Sequence, residues 1–162
     1  MISKATSLMF TLLLIAALLV VATVTIHAVG FDALMRMLVR SRALNAVGFL
    51  PVTRLVIGLA CWLVLIHLTE IGFWGLFYFW RGCLPDLKSA LYFSAGTYST
   101  IGSGELVLPR AWRILAPLEA LTANLMCGLS TGLFFALVSR WISNWMHWRT
   151  ASESHAAAPT NK

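Results

Sequence analysis

Three long apolar stretches, separated by short polar dips, dominate the chain. The first runs from Ser7 to Val29 almost without a polar break, the second from Val52 to about Trp80, and the third from about Trp112 to Val138. Crossing the hydrocarbon core of a bilayer takes roughly 20 residues of helix, so each stretch is long enough to span. The apolar run of the first is longer than the usual ~7–15 residue core of a signal peptide, and no small-x-small cleavage site follows it, so a retained helix is expected. Between the first two spans, Phe31, Leu34, Met35, Leu38 and Val39 fall on one helical face and Arg36 and Arg40 on the other. That pattern predicts a basic amphipathic helix over Phe31–Ala43, lying on the membrane surface or serving as a plain linker, with Pro51 opening the second span.

Only about thirty residues lie between Trp80 and Trp112, too few for another full crossing with two turns. Pro85-Asp86 opens a helix there, proline suiting the first turn and aspartate the positive end of the dipole. Leu87, Leu91, Tyr92 and Ala95 share a face, so Asp86–Tyr98 reads as a half-crossing helix that leads straight into Thr100, within the polar, glycine-rich dip Thr97-Tyr98-Ser99-Thr100-Ile101-Gly102-Ser103-Gly104-Glu105. Irregular backbone at membrane depth persists only where it is buried in protein or lines water. The expected architecture is therefore an all-α membrane protein with three transmembrane helices, a re-entrant helix and a polar loop. It divides into an N-terminal transmembrane helix (1–30), an interfacial helix or linker (31–50), a two-span module (51–149) and a disordered cytoplasmic tail (150–162).

Composition supports this reading. Hydrophobic residues make up 59% of the chain and charged residues 11%, against about 25% charged in soluble domains, and the mean hydropathy is +0.82. A net charge of +6 would suggest nucleic acid for a soluble protein, but here it reads as topology. Arg36, Arg40, Arg42 and Arg54 lie between spans one and two, and Arg140, Arg149 and Lys162 follow span three. Both groups are expected to be cytoplasmic. Lys4, Arg81, Lys88, Arg110 and Arg113 occupy the other side, so the bias is modest. It agrees with an outside N-terminus, a cytoplasmic C-terminus and a loop entering from outside. Trp74, Trp80 and Trp112 are expected at the outer interface, and Trp141, Trp145 and Trp148 at the inner one as an anchor. Cys61 and Cys127 act as small apolar residues in spans. Cys83, alone in the outer loop, has no intrachain partner in that loop and leaves a bridge between subunits open.

The glycine spacing of the loop carries the chemistry. In a strand successive carbonyls point to opposite sides. Aiming them all at one axis requires left-handed torsions at alternate residues, which glycine adopts at little cost. Gly102 and Gly104 supply those positions and the Thr100 hydroxyl adds an oxygen, so a ring of such segments could replace the water shell of a monovalent cation. Thr97–Glu105 resembles the selectivity filter of potassium channels, T-x-x-T-[V/I]-G-[Y/F]-G-[D/N], matching at Thr97, Thr100, Ile101, Gly102 and Gly104. Ser103 stands in place of the aromatic residue and Glu105 in place of aspartate. The resemblance covers roughly Pro51–Trp145 as outer helix, pore helix, filter and inner helix.

That resemblance implies a homotetramer in which Thr100, Ile101, Gly102 and Ser103, followed by Gly104, coordinate bound K+ or Na+ in single file. Glu105 would form a carboxylate ring at the outer mouth. Tyr92 and Phe93 stand at the family's pore-helix aromatic positions and Thr97 beneath the filter, as its support. Gly96 occupies the place where family members often carry a bracing glutamate. Glu70, which shares a face with His67, and Glu119 are the candidates to replace that brace; an ordinary interhelical hydrogen bond is the alternative. Asn124, Gly128 and Gly132 give the third span a small, polar stripe suited to an inner cavity and gate, or to helix packing. His27, at the end of span one, reads as an interfacial residue. Serine is too short to hold the filter as the aromatic does, and bacterial nonselective sodium/potassium channels also lack that aromatic. Potassium-selective conduction, nonselective conduction that extends to calcium, and a nonconducting subunit of the same architecture all remain open. The expected partners are lipid, monovalent cations and further copies of the chain, without nucleic acid or an organic cofactor, in the cell (inner) membrane. Gly102-Ser103-Gly104 has a superficial likeness to the G-x-S-G nucleophile of rhomboid proteases. The first glycine would have to be residue 101, which is Ile101, and His147 lies at the far interface, so no enzyme is expected.

Overall fold

A computed structural model of the chain describes residues 2–41, 49–102 and 104–157. Four α-helices account for most of them: α1 (Ile2–Arg40), α2 (Phe49–Trp80), α3 (Leu87–Tyr98) and α4 (Leu115–Ala157), with a short 3-10 turn at Arg110–Trp112 before α4. Among the described residues there is no strand. Three of the helices are long and apolar enough to cross a membrane, over Met9–Arg40, Leu50–Trp80 and Arg110–Thr150. The protein is an all-α, multi-pass membrane protein.

Several boundaries differ from the sequence expectation. α1 continues without a break to Arg40, so the basic stretch from Phe31 is the end of the first helix and not a separate surface helix. An i,i+4 pair between Arg36 Nε and Asp32 Oδ2 at 2.7 Å staples the exposed side of this last stretch. The remainder of the expected linker, residues 42–48, lies outside the described residues. At the other end α4 extends to Ala157, through part of the segment read as a disordered tail; residues 158–162 lie outside the described residues. α4 starts at Leu115 and not at Trp112, whose turn precedes it.

The chain forms two compact units. The first comprises residues 1–30 and 64–129. Its apolar cluster joins Ala16 and Leu19 of α1, Trp74 and Tyr78 of α2, Cys83 and Leu84 of the outer loop, Ala90 and Phe93 of α3, Leu108, and Leu115 of α4. On α2 the buried positions Ile66, Glu70, Trp74 and Tyr78 recur every four residues, which puts them on one face. On α1 the corresponding stripe is Ala16, Leu19, Thr23 and His27. The second unit, residues 31–63 and 130–162, buries Leu34, Leu38, Leu59, Leu63, Leu137 and Trp141.

Two local devices set α3 in place. α2 ends in a Schellman turn: Gly82 takes φ +64°, its N–H donates to Phe79 O at 2.9 Å, and Cys83 N–H donates to Tyr78 O at 2.9 Å. The chain then reverses through Pro85, and Asp86 caps α3 by accepting from Ser89 N–H at 2.8 Å and from the Ser89 hydroxyl at 2.8 Å. Pro85 and Asp86 thus precede the helix and are not within it. Twelve residues at 1.5 Å each give α3 a length of about 18 Å, a little over half of a ~30 Å hydrocarbon core.

Large apolar side chains remain exposed along the spans, among them Leu13, Leu18, Val64, Leu68, Leu121 and Leu125. Soluble monomers rarely expose such contiguous apolar surface; lipid or further protein must cover it.

Candidate functional site

The site is the C-terminal end of α3, the loop that follows, and the polar side chains that hold them. Ser99 caps the C-terminal end of α3, its N–H donating to Ala95 O at 3.0 Å. Thr100 then takes φ +60°, Gly102 φ +89° and Gly104 φ +62°. Left-handed torsions therefore recur at every second residue. For Thr100 this is a cost, because a β-branched residue at positive φ is a conformational outlier, and such strain concentrates at functional positions. Thr100 N–H donates to Thr97 O at 3.0 Å and Gly102 N–H to Gly96 O at 2.9 Å, so the turn is anchored on the last carbonyls of α3. Thr100, Ile101, Gly102, Gly104 and Glu105 are all exposed within the single chain, Ile101 at 86%. Ser103 lies outside the described residues.

Behind the loop, two hydrogen-bonded clusters tie α3 to its neighbours. In the first, Glu70 is fully buried. His27 of α1 places Nδ1 2.7 Å from Glu70 Oε1, Tyr98 of α3 donates its hydroxyl to Glu70 Oε2, and His67 Nδ1 lies 2.8 Å from that hydroxyl. Three helices thus meet at the residue that ends α3, two positions before Thr100. In the second cluster Glu119 of α4, also fully buried, accepts from Tyr78 of α2 at 2.7 Å. Ser94 of α3 lies 2.6 Å from its other oxygen and 2.9 Å from Ile71 O. Trp74 extends the cluster, its Nε1–H donating to Thr23 Oγ1 of α1 at 2.9 Å. Every buried side-chain polar atom among the described residues has a hydrogen-bond partner, as buried polar groups at membrane depth require.

The two glutamates singled out in the sequence therefore both reach α3, Glu119 near its middle and Glu70 at its end. His67 joins Glu70 as their spacing suggests. His27 does not: it is buried at 2% exposure, inside the bundle and not at an interface. The sequence holds a signal for this, since Thr23, His27 and Gly30 form a small and polar stripe on an otherwise apolar helix, the mark of a packing face. A Cβ on Gly30 would stand 2.7 Å from the Ile66 side chain, so α1 and α2 approach closely there.

Other expectations are corrected. α3 buries Ala90, Phe93, Ser94 and Tyr98, whereas Leu87 and Tyr92 of its apolar stripe are exposed. Phe93 packs edge-on against Tyr78, with ring centroids 5.4 Å apart, while Tyr92 supports nothing within its own chain. Thr97 is half-buried and lines, with Phe93, Leu106, Leu108 and Ala116, a cleft of about 290 Å³ beside α3. Trp74 and Trp141 are completely buried and so are core residues, not interfacial ones. Cys83 is buried at 6% exposure, and burial pushes its thiol up from the ordinary value. A bridge to another subunit needs an exposed, reactive thiolate. Asn124, Gly128 and Gly132 are exposed along α4, and a Cβ at either glycine would meet nothing within 4 Å, so packing inside the chain does not demand them.

In comparison with known proteins, residues 64–140 fit the model of a family described as ion channel. The matched segment runs from the middle of α2 through α3 and the loop into α4. Neither a curated protein nor a solved structure matches the chain.

Proposed function

We propose, from the fit of residues 64–140 to the ion-channel family model, that four copies of the chain surround a pore through which cations pass passively, coordinated by main-chain oxygens of Thr100, Ile101, Gly102 and Ser103. The observation that carries the reading is the alternation of positive φ at Thr100, Gly102 and Gly104. It is the torsional pattern that turns successive carbonyls toward one side, and Thr100 bears it at a steric cost. Dehydrating a cation demands oxygens that are already aimed and numerous. α3 ends beneath the loop, and the negative end of its dipole adds to the attraction for a cation.

Fourfold assembly is supported by what the single chain leaves uncovered. The loop backbone, Tyr92 on α3 and Leu121, Leu125 and Phe135 on α4 are exposed. Irregular backbone at membrane depth needs protein or water around it, and neighbouring copies would supply both. Glu105 is placed to gather cations at the mouth, and Asn124 to face the inner cavity. Glu70 and Glu119 act as the braces of α3, through Tyr98 and Ser94. The charge bias supports a cytoplasmic C-terminus and a loop at the outer face of the cell membrane. Serine at position 103 favours a second reading of the same pore, in which sodium passes along with potassium, because its side chain cannot pack sideways to fix the loop's width.

Ion flux into liposomes containing purified protein tests the proposal, together with subunit counting in lipid. Potassium flux from a tetramer supports it. A stable monomer, or liposomes as tight as protein-free ones, contradicts it.

A further inference from the structure

The His27, His67 and Glu70 cluster offers more than hydrogen bonds. Each of the three contributes one ligand atom, and these atoms lie within 4.8 Å of one another. His27 Nδ1 is 2.7 Å from Glu70 Oε1 and His67 Nδ1 is 3.6 Å from Glu70 Oε2. Metal–ligand bonds of about 2.0–2.1 Å at tetrahedral angles put ligand atoms roughly 3.3 Å apart, a spacing that these two distances bracket. The fourth position has a candidate as well, since the Tyr98 oxygen lies 2.8 Å from His67 Nδ1. Two imidazoles, a carboxylate and a further oxygen form a donor set typical of zinc-class ions.

We propose that His27, His67 and Glu70 bind a divalent transition-metal ion of the zinc class, with the Tyr98 oxygen or a water as the fourth ligand. The ion takes the place of the hydrogen-bonding protons at the centre of the cluster. Each imidazole then coordinates through Nδ1 and carries its proton on Nε2. Rearrangement is small because the ligands already converge, and His27 and Glu70 are 3% and 0% exposed at their side chains. His67, with its side chain 18% exposed, provides the way in. The negative charge of Glu70 offsets half of the ion's, which lowers the cost of holding it at membrane depth. A bound ion joins α1 to α2 and, through Tyr98, to the end of α3. Any effect on conduction rests on the channel reading, whereas binding does not.

The test uses the full-length protein in detergent or nanodiscs, with Co2+ alone as a spectroscopic probe and Zn2+ as competitor. His147 and His155 are the other two histidines, and a His147→Ala, His155→Ala double variant removes that background. The expected result is one Co2+ per chain in the background variant, with the intense visible bands of four-coordinate cobalt, displaced by Zn2+. Adding His27→Ala or His67→Ala weakens binding at least ~100-fold, more than loss of an outer-shell partner would. A cobalt spectrum that stays six-coordinate in the background variant overturns the proposal, and that reading does not depend on whether an alanine variant folds. Unchanged affinity in folded His27→Ala and His67→Ala variants overturns it equally.

Discussion

α3 sits against α2 with almost no space between the backbones, and one glycine makes that approach. A Cβ on Gly75 would stand 2.8 Å from Leu91 Cδ2, 3.1 Å from Leu91 Cα and 3.4 Å from Ala90 O. The leucine tip can swing away, but the Cα belongs to the backbone of α3 and must retreat by a few tenths of an ångström. Overpacking of this kind costs about 1–3 kcal/mol. Against it stands a helix-propensity gain of about 0.8–1.0 kcal/mol for replacing glycine by alanine. The net for Gly75→Ala is therefore between roughly zero and 2 kcal/mol of destabilisation. Gly72, three residues earlier on α2, is the internal control, because a Cβ there meets nothing within 4 Å. Gly72→Ala receives the propensity gain without the clash. The difference between the two variants isolates the clash at about 1–3 kcal/mol, or roughly 2–12 °C in midpoint at 2–4 °C per kcal/mol. Thermal unfolding in detergent, followed by circular dichroism, measures it. Ion flux in liposomes should fall in Gly75→Ala, since α3 carries the loop. If Gly75→Ala melts at or above Gly72→Ala, the close approach of the two helices is not as described.

The remaining predictions concern the braces, the loop and the cap. In Glu119→Gln the amide carbonyl accepts from Tyr78 and the amide donates to Ser94, so the midpoint should stay near wild type. Glu119→Ala strands the Tyr78 hydroxyl at a cost of about 1–3 kcal/mol, while Ser94 keeps Ile71 O, and equal loss in the two variants would refute the network. Gly102→Ala at φ +89° and Gly82→Ala at φ +64° carry a similar strain of about 1–2 kcal/mol. Only the former should abolish ion flux, and comparable loss in both would separate the loop from conduction. The bonds from the Ser89 N–H and hydroxyl hold the Asp86 carboxyl below its ordinary value of 3.8. Its folded-state value being depressed, Asp86 stabilises the protein fully above that pH and loses the contribution as pH falls through the folded value. Acid titration of unfolding should show this dependence below pH 3.8 in wild type and not in Asp86→Ala.

The parts of the fold that follow from local chemistry were legible in the sequence. The spans declare themselves by apolar length, and α3 by Pro85-Asp86 and by a connection too short for a full crossing. Glycines at 102 and 104 announce the torsions of the loop, although the positive φ of Thr100 was not foreseen, because threonine gives no sign of it. What depends on packing between distant segments was hidden. His27 and Glu70 are 43 positions apart, and the small, polar stripe of Thr23, His27 and Gly30 marks a packing face without naming the carboxylate it meets. A shared apolar stripe on α3 shows that a face is covered without saying by what. Leu87 and Tyr92 are apolar yet exposed within the chain, while Ser94 is polar yet buried on Glu119. The change in amphipathicity at Phe31 does not end α1, because helices pass through such changes when their backbone bonds are uninterrupted.

Reversal potentials of purified protein in planar bilayers, under opposed potassium and sodium gradients with a chloride gradient as control, bear most directly on the claim that this loop conducts cations. A cation pore built on this loop gives a passive current that reverses with the cation gradient, ignores chloride, and is absent in Gly102→Ala. A bilayer that stays silent with the wild-type protein, or a current that follows chloride, would contradict it.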